Sequence, residues 1–251
     1  NIVSNTRVRV TGTVNGGIMS IWSKIKIENN LIINNSISSD VNQNGSNFSG
    51  GINLSNHSDP YAPQAFINNT VAYNRMEKPS GSNVYTPGLL VSHSNDTGQD
   101  VPVIGNNIIY YNDGDGDNDC CEDFNVWGPS QTNAHINNNL IGAADNKGTD
   151  PINGKPNFKN PSNADYRLSM ASAAIDAGAL SFTGGYNAPI KDIRGYYRVG
   201  TPDLGAYEAG ASKYILAMTD DIAEGDRDFS GDTTFVKFSQ KLTFTVTTGD
   251  I

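Results

Sequence analysis

The chain has 251 residues, of which 37% are hydrophobic and 17% are charged, and its net charge at pH 7 is −9. Nucleic acids and anionic membrane surfaces bind basic protein faces, so neither is expected as a partner of this acidic chain. No apolar run approaches the roughly 20 residues that a membrane-spanning helix needs, so membrane insertion is not expected either. Glycine, asparagine and serine are abundant, which favours tight turns over long amphipathic helices.

The predicted elements recur along the chain in four segments that align without gaps. They are residues 27–35 (IENNLIINN), 66–74 (FINNTVAYN), 104–112 (IGNNIIYYN) and 136–142 (INNNLIG), and they start 39, 38 and 32 residues apart. Apolar residues hold the first position (Ile27, Phe66, Ile104, Ile136) and the sixth (Ile32, Val71, Ile109, Ile141). This pattern predicts strands with those side chains inward and the variable second position outward.

A shorter element precedes each repeat: GIMS at 17–20, GINL at 51–54, GLLV at 88–91 and, as the weakest match, FNVW at 124–127. Asparagine also recurs in register, in the columns Asn29/Asn68/Asn106/Asn138 and Asn30/Asn69/Asn107/Asn139, with a third column, Asn35/Asn74/Asn112, at the strand end. Parallel strands stacked about 4.8 Å apart put identical amides in register. We therefore predict two Asn ladders in an all-β solenoid rather than a propeller.

The repeats and the segment that follows them resemble a known superfamily. Residues 157–178 read NFKNPSNADYRLSMASAAIDAG and residues 192–208 read DIRGYYRVGTPDLGAYE. Together with the repeats, they resemble the right-handed parallel β-helix proteins that bacteria secrete or display on the cell surface, and in particular their terminal module. The resemblance implies β-helix coils over 1–150, a C-terminal cap over 151–210 and the start of a further β domain or linker over 211–251.

A solenoid needs a cap, because its last coil exposes an apolar interior and unpaired strand edges. We expect the charged residues of the capping segment, which include Asp192, Arg194, Arg198 and Asp203, to pair within the cap rather than to catalyse a reaction.

Two acidic runs are candidate calcium sites, because carboxylates at alternating positions can wrap oxygen ligands around the ion. The first run holds Asp113, Asp115, Asp117 and Asp119, and the second holds Asp226, Asp228 and Asp232. Neither run matches an EF-hand. The alternatives are a solvated acidic loop for the first run and a polar hairpin for the second.

A ligand surface is the second kind of candidate site. Adjacent Cys120 and Cys121 can form a vicinal disulfide that, with Trp127, offers a flat surface for sugar stacking; two reduced thiols are the alternative. Aligning the shorter elements puts His93 opposite Asn56, which suggests a small outward polar patch, although a single histidine per repeat is more often structural or merely exposed.

Two functions remain open from the sequence. The outward strand positions form no column of charged or aromatic residues and identify no catalytic group, which favours a non-catalytic module, structural or adhesive, that binds glycan and calcium. The fold resemblance favours a carbohydrate-active enzyme, either a polysaccharide lyase or a glycoside hydrolase, but fold alone does not carry function. Further domains of the same chain and filament assembly are also expected.

Overall fold

The structure is a computed structural model that describes residues 1–10, 17–21, 25–39, 48–56, 64–77, 85–93, 102–112, 123–127, 135–144 and 147–211. In these ranges the regular structure is β, and the only helical elements are the short 3₁₀ turns Pro161–Asn163 and Thr183–Gly185. No helix within them has the length and apolar character that crossing a membrane requires.

Eighteen short strands come from the repeat region. They are β1 (Ile2–Ser4), β2 (Arg7–Val10), β3 (Ile18–Ile21), β4 (Ile25–Glu28), β5 (Leu31–Ile33), β6 (Ser36–Ser39), β7 (Phe48–Ser49), β8 (Ile52–Asn56), β9 (Gln64–Ile67), β10 (Thr70–Ala72), β11 (Arg75–Glu77), β12 (Tyr85–Thr86), β13 (Leu89–His93), β14 (Val103–Gly105), β15 (Ile108–Tyr110), β16 (Phe124–Trp127), β17 (His135–Asn137) and β18 (Leu140–Ile141).

These strands stack in parallel, each one against its counterpart in the neighbouring repeat. Sheet 1 has the order β1-β5-β10-β15-β18, sheet 2 the order β17-β14-β9-β4, and sheet 3 the order β16-β13-β8-β3. Smaller sheets join β11-β6-β2 and β12-β7. The chain therefore returns to the same sheets once per repeat, as the sequence period predicted, and the all-β prediction of stacked parallel strands is confirmed.

The predicted inward columns are confirmed by register and burial. Phe66 pairs with Ile27 on one side and Ile104 on the other, and Val71 pairs in the same way with Ile32 and Ile109. All eight residues of the two columns belong to one buried apolar cluster. The fourth shorter element is also a strand of the same sheet, because β16 pairs with β13. Its register is one residue later than the alignment gave, with Phe124 opposite Leu89 rather than Gly88.

Two columns of side chains run through the stack as ladders. In the first, the Asn69 Oδ1 accepts from the main-chain N–H of Asn30 at 2.9 Å and from its Nδ2 at 2.9 Å, and the same pattern continues to Asn107 and Asn139. The second ladder follows the strand-end column from Asn35 through Asn74 to Asn112 and ends on Asp123. The ladder predicted for the Asn30 column is confirmed. The second ladder is formed by the strand-end column and not, as predicted, by the Asn29 column.

A partial layer follows the last repeat. Thr149 forms a parallel bridge with Asn137, and the main-chain N–H of Ile152 donates to the Asn139 carbonyl at 3.0 Å. Ala144 packs against the interior apolar cluster. Residues 143–144 and 147–152 therefore cover part of the stack's end.

Residues 156–208, called the C-terminal segment below, lie along the outer face of sheet 1. Four strands in two antiparallel pairs belong to it: β19 (Phe158–Asn160) with β20 (Asp165–Leu168), and β21 (Ser181–Phe182) with β22 (Tyr186–Asn187). Its apolar residues, among them Tyr166, Leu168 and Leu204, pack against the outward side chains of Leu31, Ile33, Ala72, Ile108 and Leu140.

The position of the C-terminal segment differs from the end cap that was expected over 151–210. Among the described residues, none beyond Ala144 joins the interior cluster, and the C-terminal segment contacts the side of the stack. The physical reason is that the outer face of sheet 1 is itself apolar and needs cover along its whole height.

Candidate functional site

Most of the sequence-predicted site residues lie outside the described residues. They are Asp113, Asp115, Asp117, Asp119, Cys120, Cys121, Asp226, Asp228 and Asp232. Calcium binding and the vicinal disulfide therefore stay predictions. Within the described part of the chain, no group of three or more His, Cys, Asp or Glu side chains could hold a metal ion.

His93 and Trp127 are placed by their backbones in sheet 3. His93 pairs with Asn56, as the alignment predicted, and Trp127 pairs with Ser92, the residue before His93. The two residues therefore lie on adjacent strands, one position apart in register. Their side chains lie outside the described set, so their part in ligand binding stays a prediction.

The column Asn29/Asn68/Asn106 forms the contact line between the stack and the C-terminal segment. These residues have φ between 52° and 55°, the left-handed region that asparagine tolerates better than most residues. Asn29 Nδ2 donates to the Lys191 carbonyl at 2.6 Å, Asn68 Nδ2 to the Asp203 carbonyl at 2.8 Å, and Asn106 Nδ2 to the Ala179 carbonyl at 2.8 Å.

Hydrogen bonds to the C-terminal segment thus largely replace the ladder predicted for the Asn29 column. One amide-to-amide hydrogen bond, from Asn106 Nδ2 to Asn68 Oδ1 at 3.2 Å, remains in it. The left-handed backbone turns these side chains away from the interior, where the following Asn of each repeat forms the ladder instead.

A buried ion pair anchors the segment at the same corner. Arg198 and Glu208 lie 2.9 Å apart, with side chains only 4% and 1% exposed. Arg198 Nη2 also donates to Asn29 Oδ1 at 2.8 Å, which ties the segment to the first repeat. Burial lowers the pKa of Arg198, and its Nε has no hydrogen-bond acceptor. The pair therefore positions the C-terminal segment, and both of its charges are buried inside the protein.

Two aspartates complete this network. Asp192 accepts from the Arg194 Nε at 2.8 Å and from two main-chain N–H groups nearby. Asp203 accepts from the main-chain N–H of Asp176 at 2.7 Å, and burial raises the pKa of Asp203 from 3.8 to about 6. The expected pairing is found for Asp192 with Arg194 and for Arg198 with Glu208, whereas the Asp203 carboxylate accepts from the main-chain N–H groups of Asp176 and Ala209.

An aromatic cluster covers the other corner of sheet 1. The rings of Tyr73 and Tyr111 stack with centroids 5.3 Å apart, and Tyr73 also lies 5.9 Å from Tyr166. Tyr73 and Tyr111 both have left-handed backbones, which is unusual for such bulky residues. Burial raises the pKa of Tyr73 to about 12, so its hydroxyl stays protonated and the cluster serves packing.

A groove of about 440 Å³ lies between β4 and the loop around β22. One wall is the outward face of β4, where Lys26 and Glu28 form a 2.6 Å ion pair that is not a well-aligned hydrogen bond. The other wall is residues 185–191, which include Tyr186 and Ile190. This groove brings charged, amide and apolar groups together on one open concave surface.

Phe182 fixes the position of that second wall. A Cβ built on Gly105 would overlap the Phe182 ring, so the ring occupies the space that the side chain of any other residue would need. The glycine at this outward position of β14 thus lets β21 dock against sheet 2.

No family model, curated protein or solved structure matches the chain. Membership of the β-helix superfamily therefore stays a proposal, which the sequence resemblance and the parallel stacking support.

Sequence reasoning missed the groove. Lys26 alternates with inward apolar residues on β4, and this pattern alone indicates only a solvated outward face. The opposite wall comes from residues about 160 positions later, and no local pattern shows that it docks there. The small residue Gly105 in an outward strand position was the available signal, since it marks a close approach.

Proposed function

We propose that this chain is a stiff, non-catalytic module of a secreted or cell-surface protein, built as a right-handed parallel β-helix and acting in a structural or adhesive role. The observation that carries the proposal is that hydrogen-bonded side chains link successive repeats. One side-chain ladder joins all four repeats, and the other joins the first three and ends on Asp123. The C-terminal segment is hydrogen-bonded to Asn29, Asn68 and Asn106 in three of the repeats. Such cross-links resist shear between layers.

Several charged groups of the described region support the same role. Arg198, Glu208, Asp192 and Asp203 are held in buried internal contacts and serve to attach the segment. A carbohydrate-active enzyme would instead need a pair of carboxylates, or a base beside a cation, open to a cleft.

Pulling single molecules by force tests the mechanical proposal. We expect the repeats and the C-terminal segment to unfold in one step, and the Asn69→Ala variant to unfold at lower force. Sequential release of repeats at low force in the unaltered chain would contradict the stiff-module proposal.

An assay on a panel of extracellular polysaccharides tests the enzyme alternative. Release of unsaturated uronides or of new reducing ends by the purified chain would replace the proposed function with a lyase or a hydrolase. The proposal also includes calcium binding by the acidic runs. Calorimetric titration with calcium tests it by comparing the Asp115→Asn/Asp117→Asn variant with the unaltered chain.

A further inference from the structure

A strained peptide bond lies in the connector between the repeats and the C-terminal segment. Asp150 has a φ of 49°, in the left-handed region, and is followed directly by Pro151. A proline ring clashes with the backbone of the residue before it and favours an extended conformation there, so a left-handed residue at this position is strained. We propose that the Asp150–Pro151 bond is a self-cleavage site, at which the Asp150 side chain cuts the chain in two.

Hydrogen bonds on both sides hold the bond in this conformation. Before it, the main-chain N–H of Thr149 donates to the Ile136 carbonyl at 2.8 Å. After it, the main-chain N–H of Ile152 donates to the Asn139 carbonyl at 3.0 Å. The last repeat therefore fixes the backbone on either side of Asp150, and cleavage of the bond to proline relieves the strain.

The Asp150 carboxylate is free to react. Asp150 is exposed, and within the part of the chain that the structure describes its side chain has neither a hydrogen bond nor an ion pair. The charged or titratable residues of the adjoining strand and connector are His135, Lys147 and Lys155. Lys147 donates to the Ile141 carbonyl at 3.2 Å instead. Both oxygens of the Asp150 carboxylate are thus available for attack on the main-chain carbonyl carbon of the same residue.

The reaction needs only the chain itself and water. A carboxylate oxygen of Asp150 forms a bond to its main-chain carbonyl carbon, the C–N bond to Pro151 breaks, and the proline nitrogen keeps the electron pair and takes up a proton. Water then opens the cyclic anhydride left on Asp150, which gives a carboxyl end there and a secondary amine on Pro151. Attack within one residue is entropically favoured. At about pH 4 an exposed carboxyl group is partly ionised and partly protonated, so nucleophile and proton are both present.

Cleavage leaves the two pieces in contact. The chain from Pro151 onward packs its apolar residues over the outer face of sheet 1, and Arg198 donates to Asn29 Oδ1 at 2.8 Å. Asn68 donates to the Asp203 carbonyl at 2.8 Å. These contacts do not involve the connector. The site therefore converts a covalent attachment of the C-terminal segment into a reversible one, and its failure to cleave would leave the structural role of the preceding section intact.

Incubation at about pH 4 followed by mass spectrometry tests the site. We expect the fragments 1–150 and 151–251, whose masses together exceed that of the intact chain by one water. Cleavage should be about tenfold faster in the folded protein than in the chain unfolded in urea, because only the fold imposes the strain. The two fragments should elute together in gel filtration without urea and separately in urea.

Two variants and one internal control accompany the test. Asp150→Asn removes the nucleophile but keeps a residue that tolerates the left-handed region, and Pro151→Ala removes the clash and the secondary-amine leaving group. Both should lose the cleavage. Asp176 is also exposed and left-handed, with a φ of 52°, but precedes Ala177, so its bond should stay intact.

An intact chain after incubation would overturn the proposal. So would equal cleavage rates in the folded and unfolded chains, since the scission would then be a property of the local sequence alone. Undiminished cleavage of Asp150→Asn would exclude the side chain as the nucleophile, and equal cleavage after Asp176 would exclude the part of the proline. Separate elution of the fragments without urea would contradict the two-chain complex.

Discussion

Single amides hold the repeats of this protein together. Asn69 is fully buried; its Oδ1 accepts two hydrogen bonds from Asn30, and its Nδ2 reaches the Ile27 carbonyl and Asn107 Oδ1. Each such bond contributes only about 1 kcal/mol net, whereas a buried group left without a partner costs about 1–3 kcal/mol. The loss of one asparagine from the ladder therefore lowers the stability by more than the number of lost hydrogen bonds implies.

Replacing Asn69 by alanine should lower the free energy of unfolding by about 2–4 kcal/mol, because the N–H of Asn30 loses its acceptor inside the stack. Urea denaturation measures the change. Asn153→Ala removes an exposed asparagine and is the control, with an expected change within about 0.5 kcal/mol. Equal stability of the two variants would show that the ladder contributes nothing.

Asp203 makes the stability of the protein pH-dependent. Its pKa is raised from 3.8 to about 6 by burial, so between these values the folded state binds more protons at this site than the unfolded state. The contribution of Asp203 to stability is therefore complete below about pH 4 and is lost as the pH rises through 6. The Asp203 carboxyl carbon should titrate by NMR with a midpoint near pH 6.

A variant isolates this contribution from that of other carboxyls. Asp203→Asn does not titrate, so the stability of the unaltered chain relative to this variant should fall from pH 4 to pH 7. A constant difference over that interval would argue against the raised pKa.

At the scale of the element, the C-terminal segment depends on one buried ion pair. Arg198→Ala leaves Glu208 buried without its cation and should lower the free energy of unfolding by about 3–5 kcal/mol. Arg167→Ala is the matched control, because Arg167 is 49% exposed in its pair with Asp165 and solvent screens such surface pairs. Urea denaturation of both variants checks the prediction, and similar losses would contradict it.

Strands and their register were predictable because they repeat. The inward columns through Phe66 and Val71 follow from period-two alternation, and the Asn30 column follows from stacking identical residues. The role of Asn29 was not predictable, since two adjacent invariant columns look alike in sequence while only a left-handed backbone turns one of them outward. The groove could not be predicted either, because its walls come from distant parts of the chain.

At the scale of the whole molecule, the C-terminal segment covers an apolar side. Leu31, Ile33 and Ala72 face outward from sheet 1 and are at most 4% exposed, because Tyr166 and its neighbours pack over them. Ile108 and Leu140 are covered in the same way by Leu168 and Leu204. The stack thus has two apolar regions, one inside and one along a side, and the second exists to receive the segment.

Truncation of the chain distinguishes the contributions of these two apolar regions to stability. A chain ending after residue 154 lacks the C-terminal segment and exposes the apolar side of sheet 1, so it should bind a hydrophobic dye, associate and melt at lower temperature. A chain ending after residue 211 keeps every contact described above and is the control with which the 1–154 chain is compared. Calorimetry and light scattering measure both. A monomeric 1–154 chain that melts with the control would show that the repeats are stable alone, and the segment would then be an appendage rather than part of the fold.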